Sequence, residues 1–126
     1  MSKDSEIFLK EAHLLISDTV NFAEKMLASR KITNDDSMGG YLSENDIETL
    51  RSIHFTEEQR KALHILFLAI GRLSVCGVLG MIDGILMSDN YEIPDLSLIN
   101  RNTGKDIVDT CLLNEEFDYY IELFEQ

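Results

Sequence analysis

The stretch from Thr56 to Met87 constrains this chain more than any other, because it is long, apolar and almost without a polar side. Thr56-Glu57-Glu58-Gln59 has the pattern of a capping box. In such a box the threonine hydroxyl accepts from a free amide of the first turn and the glutamine reaches back to the cap's own N–H, so a helix is expected to start there. At 100° per residue, Leu63, Ile70, Ser74 and Met81 fall on one meridian, Leu66, Leu73, Gly77 and Gly84 on the next, and Leu68, Leu79 and Leu86 almost opposite. The expectation is a helix buried on nearly every side, the central post of a mainly α domain.

Its polar residues fall on one narrow line. Lys61, Arg72 and Asp83 are each eleven residues apart, close to three full turns. Arg72 and Asp83 would stand about 16 Å apart along the axis, too far to pair with each other. Ala62, Ala69, Cys76, Gly77, Gly80 and Gly84 cluster within about a third of the circumference, an arc that invites another backbone close. Close packing of this arc on the first helix is expected, with Gly80 in the contact and a break between Gly80 and Gly84. The window from Ile65 to Ile82 is long enough to approach a membrane span. Arg72 at its centre and the lack of flanking basic clusters argue for a soluble chain instead.

Before this stretch, Asp4 or Ser5 can cap a helix running to about Arg30. Phe8, Ala12, Leu15, Phe22 and Met26 are expected to line its core stripe, widened by Leu9, Ile16, Val20, Ala23 and Leu27. His13 falls at the stripe's edge and is expected to be partly exposed, while Ile7 and Leu14 lie outside it. Lys31 to Tyr41 reads as a loop rich in Asn, Asp, Ser and Gly. Its Asn34-Asp35-Asp36-Ser37 run lacks the alternating ligands and closing glutamate of a calcium loop. Ser43 then caps a short helix, about Glu44 to Ile53, with Ile47, Leu50 and Ile53 inward.

After Met87, Pro94 forbids a helix. Leu96 to Ile99, the turn Asn102-Thr103-Gly104, and Asp106-Ile107-Val108 read as a β-hairpin that must lie on the helices to be stable. Asn114 caps a last helix with Phe117, Tyr120, Ile121 and Phe124 inward and Glu115, Asp118, Glu122 and Glu125 outward. The fold class is therefore mainly α (α+β), about four helices around the central one with one small hairpin near the C-terminus, in a single domain of 126 residues. Cys76 and Cys111 lie in apolar runs without metal-knuckle spacing and are expected as buried thiols in a reducing, cytoplasmic setting. The N-terminal run lacks the apolar core of a signal peptide.

Charge is the strongest global feature. Acids number 23 and bases 11, and residues 83–126 carry 11 of the acids with only 2 of the bases. Such a field opposes direct nucleic-acid binding and favours a cationic partner, although an acidic surface also serves solubility alone. Asp83-Gly84, Leu96 to Asn100, Thr103-Gly104 and Glu116-Phe117, over about a third of the chain, resemble the C-terminal portion of small acidic bacterial proteins found as immunity partners of toxins. That resemblance implies a helical inhibitor of a toxin.

Catalytic patterns are not found: there is no Gly-rich phosphate loop, no nucleophile elbow, and His13, His54 and His64 are scattered. Asp106-x-x-Asp109 and Glu122-x-x-Glu125 have the spacing of the paired acids with which all-helical nucleotide pyrophosphatases hold magnesium, but the first pair falls in the expected hairpin. The leading reading is a non-enzymatic inhibitory binding protein of the immunity or antitoxin type, with neither metal nor cofactor. It would cover the basic surface of a toxin or nucleic-acid enzyme. The expected contact residues are Glu115, Asp118, Tyr119, Glu122 and Glu125 of the last helix, rimmed by Asp89, Glu92 and Asp95. The alternatives are a phosphate-mimicking inhibitor of a DNA-binding machine, a magnesium-dependent nucleotide hydrolase, and a structural homo-oligomer.

Overall fold

Capping residues set most of the element boundaries. In the computed structural model, which describes residues 2–29, 40–86, 88–108 and 111–124 (Ser29 and Phe124 by backbone), helix α1 spans Lys3–Ser29. Its cap is Ser2 rather than Asp4 or Ser5: the Ser5 amide donates to Ser2 Oγ at 3.1 Å and the Glu6 amide to the Ser2 carbonyl at 3.1 Å. Helix α2, Glu44–Ser52, begins with a reciprocal capping box between Ser43 and Asp46. Helix α3, Glu57–Ile82, begins with the expected box, Thr56 N–H donating to Gln59 Oε1 at 2.9 Å and Gln59 N–H to Thr56 Oγ1 at 3.1 Å. It ends where Gly84, at φ +74°, turns the chain so that the Ile85 and Leu86 amides both donate to the Gly80 carbonyl. That close uses the left-handed conformation glycine adopts freely.

Strands β1, Ile99–Asn100, and β2, Lys105–Asp106, form the expected antiparallel hairpin, with Ile99 opposite Asp106 and Asn100 opposite Lys105. Gly104, at φ +72°, supplies its turn. The last helix is composite: α4, Leu113–Phe117, a 3₁₀ turn over Asp118–Tyr120, and α5, Ile121–Phe124. Counting it as one element, the chain is mainly helical, the described residues forming four helices with a small hairpin near the C-terminus. The expected Asn34–Ser37 loop, the Arg30 helix end, Met87, Asp109, Glu125 and the Phe124 side chain lie outside the described structure.

The chain forms two compact units, residues 1–17 with 69–126, and residues 18–68. In the first, Leu9, Ile16, Leu79, Ile107, Leu113 and Phe117 are buried. The hairpin is fastened to the start of α1, Ser2 Oγ donating to the Ile107 carbonyl at 2.6 Å and Asn100 Nδ2 to Asp4 Oδ2 at 3.0 Å. Helix α3 packs on α1 here, closely enough that a Cβ on Gly71 would stand 2.7 Å from Ile16 Cγ2. In the second unit, Met26 and Ile47 form a small core covered by Leu27, Leu42 and Leu50, and His64 Nδ1 meets Glu24 Oε1 at 2.7 Å.

Three expectations need correction. The buried stripe of α1 is Ser5, Leu9, His13, Ile16, Val20 and Met26, whereas Phe8, Leu15 and Phe22 are exposed, so the stripe is turned by about one residue. The apolar sector of this helix is wider than the interior it meets, and periodicity cannot say which part turns inward. Gly71, not Gly80, makes the close contact with α1; a Cβ on Gly80 would meet Leu86 and Ile85 of its own C-cap, and one on Gly77 would meet nothing within 4 Å. Finally, α3 is not buried on nearly every side, since only 17 % of its most apolar 18-residue window is buried.

Candidate functional site

Three arrangements carry chemistry or exposed affinity. The first is the interior polar cluster of the first unit. His13 is 2 % exposed, not a boundary residue, and its ring stacks on Phe117 with centroids 3.8 Å apart and planes 7° from parallel. Its Nε2 lies 2.6 Å from the Phe117 carbonyl oxygen, and because a carbonyl only accepts, Nε2 carries the proton. Burial pushes the His13 pKa down, opposed by that hydrogen bond, and the nearby Arg72 cation lowers it further. His13 is therefore a neutral structural donor.

Asp83, the last member of the charged line, has an equally definite task. Its two carboxylate oxygens accept from the amides of Leu113 at 3.0 Å and Asn114 at 2.9 Å. Asn114 does not cap the last helix; Leu112 occupies the cap position without a side-chain bond, and a carboxylate from the end of α3 satisfies the orphan donors instead. Cys76 is half-buried, and burial together with the Asp118 and Asp83 carboxylates pushes its thiol pKa up, which opposes formation of the nucleophilic thiolate. Cys111 is exposed rather than buried. Glu116 is 2 % exposed, and its Oε1 has no hydrogen-bond partner among the described residues.

The second arrangement is the acidic surface. Glu115 in α4, Asp118 and Tyr119 in the 3₁₀ turn and Glu122 in α5 are all exposed, as are Asp89, Glu92 and Asp95 between α3 and β1. None of these acids forms an ion pair with another described residue. Tyr119 is 77 % exposed, two residues from the fully buried Phe117, and Tyr91 stands exposed in the Asp89–Asp95 loop. Glu125 lies outside the described residues. The structure places the acids on two segments of the same unit; Asp106, from the alternative carboxylate reading, accepts from the Val108 amide just past β2. Among the described residues, no group of three or more His, Cys, Asp or Glu side chains is placed to hold a metal ion.

The third was not anticipated as a surface. Ala62, Ile65, Leu66, Ala69, Ile70 and Leu73 of α3 are all exposed. At 100° per residue each lies about 100° or more from Gly71, so they form the face turned away from α1. Beside the N-terminal half of this face, Ile53, His54, Phe55, Gln59, Ala62 and Leu66 line an open groove of about 410 Å³. The absence of any charge at these positions was the readable signal. No family model, curated protein or solved structure matches this chain.

Proposed function

We propose that the chain is an inhibitory binding protein of the immunity or antitoxin type, which covers the basic surface of a toxin or nucleic-acid enzyme with its acidic C-terminal side. The observation that carries this reading is Tyr119, whose ring stands 77 % exposed among Glu115, Asp118 and Glu122 while its neighbour Phe117 is completely buried. An amphipathic ring held in solvent close to a buried anchor has the character of a binding residue, and the carboxylates around it, which have no ion pair among the described residues, supply long-range attraction to a cationic surface. The titratable groups of the interior support binding over catalysis, because His13 and Asp83 are engaged by backbone groups and the Cys76 thiol is held protonated.

The mechanism is occlusion, with carboxylates standing where phosphates would. Steering accelerates encounter at low ionic strength, and the aromatic contact slows escape. The test is co-expression with the product of the adjacent gene, followed by binding kinetics on the purified pair. Asp118→Lys with Glu122→Lys should slow association at low salt, and Tyr119→Ala should speed dissociation, with far-UV circular dichroism unchanged in both. Wild-type kinetics from both variants would place the interface elsewhere and remove this reading.

A further inference from the structure

We propose that the outer face of α3 is the interface for a second copy of this chain, paired antiparallel about a two-fold axis near the middle of that helix. Helix α3 is continuous from Glu57 to Ile82, so the positions on this face are fixed by the helix itself. Ala62, Leu66, Ala69 and Leu73 follow one another at steps of four, three and four, the seam spacing of helices that pack side by side.

The sequence along that seam is self-complementary. An antiparallel pairing centred between positions 67 and 68 sets Ala62 against Leu73 of the second copy and Leu66 against its Ala69, so each large side chain meets a small one. Ile65 and Ile70 flank the seam on its two sides, each facing its own counterpart in the second copy. The most exposed large apolar side chain of α3 is Leu73, at 74 %, and its counterpart Ala62 helps floor the 410 Å³ groove. A knob and a hole on one surface are what a two-fold interface requires, because each copy then fills the other's groove with its own leucine.

Area and charge agree with this occupant. Four aliphatic side chains at half to three-quarters exposure, with two alanines, present about 600 Å² per copy. Complete cover of these six residues in both copies would bury on the order of 1,200 Å², the lower end of the range for a stable specific interface. Although the chain carries a net charge of −12, the six positions of the face carry none, and the nearest carboxylate on this side of α3, the exposed Glu58, stands at the rim one turn before Ala62. This surface is distinct from the acidic one, and the dimer stands or falls without reference to a basic partner.

The test is sedimentation velocity on the intact chain from about 1 to 100 μM, covering the affinities that interfaces of this size commonly show. A monomer–dimer equilibrium is expected, and a chain that stays monomeric throughout overturns the proposal. Leu73→Glu and, separately, Ala62→Lys should each shift the equilibrium at least tenfold toward monomer, with far-UV circular dichroism unchanged because both side chains are exposed. Tyr119→Ala should leave it as in the wild type. Combining Ala62→Lys with Leu73→Glu should restore the dimer at low salt. The two positions lie eleven residues apart on one helix and can meet only across an antiparallel pair. Failure of this restoration, a dimer indifferent to either single change, or flotation of the monomer with phosphatidylcholine vesicles would each overturn the assignment.

Discussion

Asp83 is where one substitution should cost the most for its size. Its carboxylate receives the Leu113 and Asn114 amides at 3.0 and 2.9 Å, and Leu113 is fully buried. Alanine there removes both acceptors and leaves two donors at the start of α4, where α4 has no side-chain cap of its own. A hydrogen bond to a charged group contributes about 1.5–3 kcal/mol, and a lost cap typically costs about 1 kcal/mol. Two offsets reduce the total. Asn114 is only partly buried, which leaves room for water to replace one acceptor, and a carboxylate just past the end of α3 is opposed by that helix's dipole by about 0.3–1 kcal/mol. Asp83→Ala should therefore destabilise by about 2–3 kcal/mol, and Asp83→Asn, which keeps one acceptor, by about half as much. Urea denaturation followed by circular dichroism reads both, with an unchanged slope if only stability has moved. An alanine variant within about 0.5 kcal/mol of wild type, the ordinary range for a surface substitution, would show that the carboxylate does not cap α4.

Other expected outcomes follow from single contacts. Burial lowers the His13 pKa below its unfolded value, so the unfolded chain binds this proton more readily than the folded one. Stability should thus fall as pH drops below about 6.5, down to the folded pKa, and His13→Gln should flatten this part of the urea-midpoint profile between pH 7.5 and 5.5. An unchanged slope would assign the dependence to other groups. Gly71→Leu should destabilise by about 1–3 kcal/mol, because even a Cβ would press on Ile16. Gly77→Ala should stabilise by about 0.5–1 kcal/mol, since its Cβ meets nothing within 4 Å and alanine favours the helix. Equal effects at the two glycines, read by thermal melts, would contradict the packing of α3 on α1.

The parts legible in the sequence are those whose partners are close along the chain. Thr56 and Gln59 are three apart, as are Ser43 and Asp46, and a capping box is written in that interval. The hairpin was legible for the same reason, Gly104 marking its turn. The spacing of Asp83 from Arg72 excludes a pair between them but does not reveal its actual partners, two backbone amides about thirty residues on, and amides have no letter in a sequence. His13 was misplaced because an apolar sector broader than a helix–helix contact has two edges, and the wheel does not rank them. The same degeneracy hid the outer face of α3: a helix apolar all round can be enclosed by its own chain or by another. At the C-terminal side, exposure of Glu115, Asp118, Tyr119 and Glu122 agrees with the sorted faces expected there. Glu116, assigned to neither face, is the acid that lies inside.

The fastening of the hairpin and last helix to α1 has a consequence for the order in which the protein can be made. Ser2 is joined to Ile107 across 105 positions of chain, and His13 to Phe117 across 104. At about 5–20 residues per second, the first half of α1 leaves the ribosome roughly 5–20 seconds before its covering segments exist. Residues 18–68, which cluster into a compact unit of their own, can close within this interval. The N-terminal stripe of Ser5, Leu9 and His13 cannot be covered by Phe117 until nearly the whole chain has been translated. A stop codon just before Leu113 would release a chain whose earliest residues still lack their cover, and such a fragment should depend on chaperones far more than the full-length protein does.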